Sequence, residues 1–157
     1  MKSASSVPGR GEPSQRTDGF CLPAGAFFVW RPDTDRLALI AVAGAFGAVS
    51  RYKLQGWVAD AVGRPTLWAT FAVNVSGAFL LGLVIAISEG RWNVSPLTRT
   101  TLAVGFLGAY TTFSTLMFES VDRIETGDYL AAAANIVGSV VVGLVACYAG
   151  LSLGRAL

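Results

Sequence analysis

The sequence predicts an all-helical integral membrane protein with four spans, on three observations. Apolar residues make up 53% of the 157 residues and charged residues only 14%, against about 25% charged in ordinary globular domains. The charges cluster, so four windows from residue 37 onward are almost free of them. Each window reaches the roughly 20 residues that a helix needs to cross the hydrocarbon core, and the connections between windows are short.

Residues 1–35 stand apart as an N-terminal extension of disordered composition, with Pro8, Pro13, Pro23 and Pro32, several Gly and Ser, and alternating charge. The apolar stretch Ala26–Trp30 is too short to span a membrane and lacks a convincing cleavage site. Residues 36–157 form the four-helix transmembrane domain. The first span runs from Leu37 to about Val58, the second from Leu67 to about Ser88, the third from Pro96 to about Glu119 and the fourth from Tyr129 to about Leu153. Asp60, Gly63, Arg64 and Pro65 punctuate the first connection, Glu89, Gly90, Arg91 and Asn93 the second, and Asp122, Arg123, Glu125, Gly127 and Asp128 the third.

Composition removes several function classes. A net charge of +2 gives no electrostatic footprint for nucleic acid. The chain has no His, the commonest metal ligand and acid–base group near neutral pH. Cys21 and Cys147 alone predict neither a disulfide nor a zinc site. No nucleophile–base pair and no phosphate loop appears, so an enzyme is not expected.

Four spans put both termini on one side. Arg31, Arg36, Arg91, Arg99 and Arg155 fall on that side, and Arg51, Lys53, Arg64 and Arg123 on the other. Lys and Arg in the loops set orientation, and this near balance permits insertion both ways. An antiparallel homodimer with a two-fold axis in the membrane plane is then allowed.

Polar groups in hydrocarbon are costly unless satisfied, so each is a candidate site. The second span carries Asn74 and Ser76, which either bond a neighbouring helix or face water. The third reads GFLGAYTTFSTL from Gly105 to Leu116, with Thr111, Thr112, Ser114 and Thr115 in five positions. Gly weakens a helix and hydroxyls compete for its backbone, so a break at mid-depth is expected. Carbonyls freed there are tolerated only when buried in protein, facing water or holding an ion. The other reading is a kink repaired by Thr side chains. In the fourth span Asn135 and Ser139, at i and i+4, share a face that Gly143 continues, either as helix–helix glue or as a polar lane. Gly44, Gly47, Gly77, Gly82, Gly105, Gly108, Gly138 and Gly143 are expected mainly to pack helices. Phe113 lies inside the hydroxyl run, and the positive edge of its ring can approach a small anion.

These fragments resemble the Fluc (CrcB) family of small fluoride channels over about residues 37–155. GAFGAVSRY at 44–52, TFAVNVSGAFLLG at 70–82, GFLGAYTTFST at 105–115 and NIVGSVVVG at 135–143 are similar, in order and spacing, to motifs of the family's four helices. The resemblance implies an antiparallel dual-topology dimer with two pores in the cell membrane (the inner membrane of a bacterium), exporting cytoplasmic fluoride passively. It implies a central structural Na⁺ held by backbone carbonyls of Gly108 and Thr111 from both subunits. Asn74 matches the pore-lining Asn, and Ser139, with Asn135 on the same face, the fourth-helix polar track. Phe113, Ser114 and Thr115 are expected along the fluoride path, and Arg51 near the aqueous entrance. The family commonly places a second Phe three residues after the first, where this chain has Leu116. That departure leaves open pairing with a different subunit in place of a homodimer. Ala109 stands where the family often has a second Gly in a row.

Two other function classes compete with a fluoride channel. A proton-coupled small multidrug transporter also has four spans and dual topology, but its chemistry wants a carboxylate in the first helix, and none lies between Leu37 and Val58. A non-transporting assembly factor would tolerate loss of the hydroxyl run.

Overall fold

The structure, a computed structural model of the chain, describes residues 33–63, 67–90 and 94–157. The N-terminal extension lies outside the described residues up to position 32. Four helical stretches are long and apolar enough to cross a membrane: Thr34–Val62, Leu67–Glu89, Pro96–Glu125 and Tyr129–Ala156.

Helix α1 (Thr34–Val62) starts after Asp33, which is extended, and carries Asp35 in its first turn, where the positive end of the helix dipole favours an acid. It stops at Gly63, whose φ of 78° lets its N–H turn back to the Ala59 and Asp60 carbonyls. Helix α2 is Leu67–Glu89. The third span opens with α3 (Pro96–Thr100), where Pro96 occupies the first turn and Ser95 Oγ accepts the Thr98 N–H at 3.1 Å. A π-helical stretch, Thr101–Leu107, follows, then a single turn, α4 (Gly108–Tyr110). Thr111 and Thr112 are extended, and α5 (Phe113–Glu125) resumes the span. Helix α6 (Tyr129–Ala156) is capped by Asp128, which accepts the Ala131 N–H at 3.1 Å.

The four expected spans are present, and the break falls inside the hydroxyl run. The helices outlast their apolar windows, though. Asp60, Asp122, Arg123 and Glu125, expected in connections, lie in terminal helical turns. Helices cross the headgroup region as well as the hydrocarbon, and charged side chains stay wet there.

Helix α2 lies at the centre of the packing and meets α6 most extensively. Gly82 and Gly150 make that approach reciprocal, since a Cβ at Gly82 would run into the Cys147 carbonyl and one at Gly150 into the Phe79 carbonyl. Small residues allow such contact in lipid, where no hydrophobic force drives helices together. The first half of the third span packs on α1, and α5 packs on α6. The break thus carries the span from one side of α2 to the other. By contrast, a Cβ at Gly138 or Gly143 would meet no atom within 4 Å, so these two, expected to pack helices, do not do so within the chain.

Candidate functional site at the break in the third span

In an unbroken helix the Thr112 N–H would donate to the Gly108 carbonyl. Here it donates to Asn74 Oδ1 at 2.8 Å, while Asn74 Nδ2 donates to the Thr112 carbonyl at 2.9 Å. One side chain on α2 therefore satisfies both backbone groups of the residue at the break. This answers the demand that freed backbone in a membrane be paired. It also removes the helical partner of the Gly108 carbonyl.

The hydroxyls complete the break locally. Thr112 Oγ1 accepts the Thr115 N–H at 3.2 Å, capping α5, and lies 2.9 Å from Thr115 Oγ1 and 3.3 Å from Ser114 Oγ. Thr111 sends its N–H and its hydroxyl to the Leu107 carbonyl, each at 3.0 Å. Its own carbonyl receives Arg51 Nη1 from α1 at 3.4 Å, which places a positive charge beside the break. Gly77 of α2 lets the helix approach, because a Cβ there would collide with the Thr111 methyl.

Asn74, Arg51, Thr111, Ser114 and Thr115 thus come together around Thr112. Gly108, Phe113 and Ser114 are exposed on the chain's surface, Phe113 by 73%. Ser139 sits apart on α6; it is buried, and its hydroxyl has no hydrogen-bond partner among the described residues. Asn135, one turn earlier, is also buried and donates to Ser120 Oγ of α5 at 3.0 Å. Leu116, where the resemblance leads one to expect a second Phe, turns into the chain with 5% exposure.

Two groups were not singled out from the sequence. Thr70, fully buried on α2, donates to Glu119 Oε1 at 2.6 Å, and Gln55 Nε2 reaches Thr70 Oγ1 at 3.5 Å. By sequence, the third span ends at about Glu119. Because α5 continues to Glu125, Glu119 lies about 9 Å inside the helix end, and its Oε2 is buried with no partner among the described residues. An open cleft of about 640 Å³ leads to this pair between Tyr52, Lys53, Gln55 and Asp60 of α1. The available signal was an ionisable residue inside a span. The second missed residue is Ser120, whose role depends on a contact with another helix.

No group of three or more His, Cys, Asp or Glu gathers among the described residues. A cation at the break would therefore rely on neutral oxygens, of the backbone or of hydroxyls. The Gly108 carbonyl, exposed and freed of its helical partner, fits that need. The Thr111 carbonyl has a second lone pair beside the long Arg51 contact.

Comparison with known proteins covers this whole region. The model of the family described as CrcB-like protein, Camphor Resistance (CrcB), matches residues 38–151. A fluoride-specific ion channel FluC of Geotalea daltonii is 46% identical over 116 residues, which are 74% of this chain and 94% of that protein. The FluC of Solidesulfovibrio magneticus is 45% identical over 121 residues, 77% of this chain and 97% of that protein. FluC 1 of Symbiobacterium thermophilum is 44% identical over 117 residues, 74% of this chain and 94% of that protein. Four helices fit to cross a membrane, a third span broken between Tyr110 and Phe113, and matches running from the first helix into the last agree with one another: the chain belongs to the CrcB-like family.

Proposed function

We infer that this chain is a subunit of a fluoride-specific ion channel, a multi-pass membrane protein through which fluoride leaves the cell down its own gradient. The observation that carries this is identity of 44–46% to fluoride-specific channels over three quarters of the chain, the broken span included. Expression in a fluoride-sensitive bacterial strain lacking its own exporter tests it. Growth at an otherwise toxic fluoride concentration is expected; growth no better than with an empty vector contradicts it.

The finer proposal concerns the path. Fluoride is small and strongly hydrated, so a narrow pore must replace its water with hydrogen-bond donors. Asn74 has one N–H left after binding Thr112. Ser114 and Thr115 offer hydroxyls, and the unpartnered Ser139 hydroxyl offers another. Phe113 adds its ring edge, and Arg51, whose guanidinium reaches the Thr111 carbonyl, adds a positive charge beside the break that attracts anions. Diameter and donor placement then select against larger halides.

A second copy completes the reading. Ser114 and the Gly108 carbonyl are exposed midway along a span, a placement that lipid does not tolerate. An antiparallel homodimer covers them, and the near balance of Lys and Arg permits that insertion. Its two breaks bring four carbonyls, from Gly108 and Thr111 of each copy, toward one point. A structural Na⁺ held there supplies positive charge that offsets the crowded carbonyl dipoles.

A further inference from the structure

We propose that Ser120 and Asn135 are positioning residues for conduction: their buried hydrogen bond sets the rotation of α5 and hence the direction of Phe113. The inference rests on the channel reading above and deepens it.

The need for such a device follows from the break. With the Thr112 N–H turned to Asn74, no helical hydrogen bond passes from Gly108 to α5, and α4 cannot transmit its rotation across two extended residues. The azimuth of α5 must be set from the side. Two Asn side chains do so beside the Thr70–Glu119 hydrogen bond, both on the helices locked together through Gly82 and Gly150. Asn74 of α2 holds the first cap residue of α5. Asn135 of α6 holds Ser120, two turns further on.

The second bond is directional. Ser120 Oγ–H donates to the Leu116 carbonyl at 2.7 Å, so its lone pair faces α6 and accepts from Asn135 Nδ2 at 3.0 Å. Both residues are buried, with 2% and 7% exposure, so neither is readily satisfied by bulk solvent if the other is lost. Phe113 precedes Ser120 by seven residues, which puts the two within about 20° on the helix. A turn of α5 that breaks Ser120 from Asn135 swings Phe113 through the same angle.

The competing account is that Asn135 meets the ion itself. It also lines a groove of about 390 Å³ with Trp68, Phe71 and Arg123. A double-mutant cycle on the full chain, reconstituted in liposomes, separates the two. Fluoride efflux and the fluoride-to-chloride ratio are measured for Ser120→Ala, Asn135→Ala, the double variant and Ser120→Thr, with oligomer size and thermal midpoint recorded alongside. If the pair acts as a unit, each single change lowers the ratio by the same factor, on the order of tenfold. The double variant is then no worse, and Ser120→Thr, which keeps the hydroxyl, holds the wild-type ratio. Ser120→Cys, close in size with a weaker acceptor, takes the place of Ser120→Ala where that variant does not fold.

Three results overturn the inference alone: a loss in Asn135→Ala with Ser120→Ala at the wild-type ratio, losses that multiply in the double variant, or a lowered thermal midpoint with the ratio unchanged. Wild-type protein that carries no fluoride overturns the functional reading, and this inference with it.

Discussion

Asn74 shows how one side chain can repair a broken span and, in the path proposed above, keep a donor in reserve. Its carbonyl and one N–H close the break on Thr112, and the remaining N–H is the part free to meet an ion. An Asn in an apolar helix was legible from the sequence as a group that must find a partner or water. Its partner was not, because 38 residues separate the two and no periodicity links them. Leu116 gives a sharper test at this scale. It is buried within the chain, so Leu116→Phe must force a larger ring into filled space. Such overpacking costs about 1–3 kcal/mol, and a lower thermal midpoint with no gain in fluoride rate is expected. A faster rate at unchanged stability would mean that this side chain faces the path. The partners of Glu119 and Ser120 stayed unreadable for the same reason as that of Asn74: their hydrogen bonds to Thr70 and Asn135 cross between helices, and such pairing leaves no local pattern.

At the scale of elements, the four spans were legible because hydropathy and span length are properties of a window. The break was legible because Gly105, Gly108 and four hydroxyls weaken one stretch of helix. The π-helical turns of Thr101–Leu107 were not, since the residues there are ordinary helix formers apart from Gly105. Their wider winding comes where Gly105 meets Ile40 and Ala43 of α1 at contact distances of about 3 Å for an added Cβ, a tertiary constraint. The α2–α6 frame is the element on which the two Asn anchors depend. Gly150→Leu places a side chain on the Phe79 carbonyl, and a loss of about 3 kcal/mol or more is expected. Failure to purify a monodisperse species would register it, whereas a wild-type thermal midpoint would show that α2 and α6 can separate without harm.

For the whole molecule, a single chain leaves Phe113, Ser114 and the Gly108 carbonyl uncovered halfway along a span. A lone copy in lipid is thus incomplete. Composition alone could permit a second copy, through the near-even distribution of Lys and Arg, but could not say which surface it covers. In the scheme proposed above, Na⁺ at the junction of two breaks would make assembly depend on the ion. A ligand at a hundred times its Kd adds about 2.7 kcal/mol, so replacing Na⁺ with a large organic cation should lower the thermal midpoint of the purified protein by several degrees. An unchanged midpoint would remove the cation from the scheme.

In the proposed channel, the break held by Asn74 forms part of the fluoride path. Anion efflux from liposomes containing purified protein tests it most directly, with wild type and Asn74→Asp compared. The variant sets a carboxylate against the Thr112 carbonyl and adds negative charge to the path. Wild-type protein should release fluoride while chloride stays inside, and the variant, still of dimer size, should release neither. Chloride leaving as fast as fluoride, or an Asn74→Asp rate equal to wild type, would contradict the account.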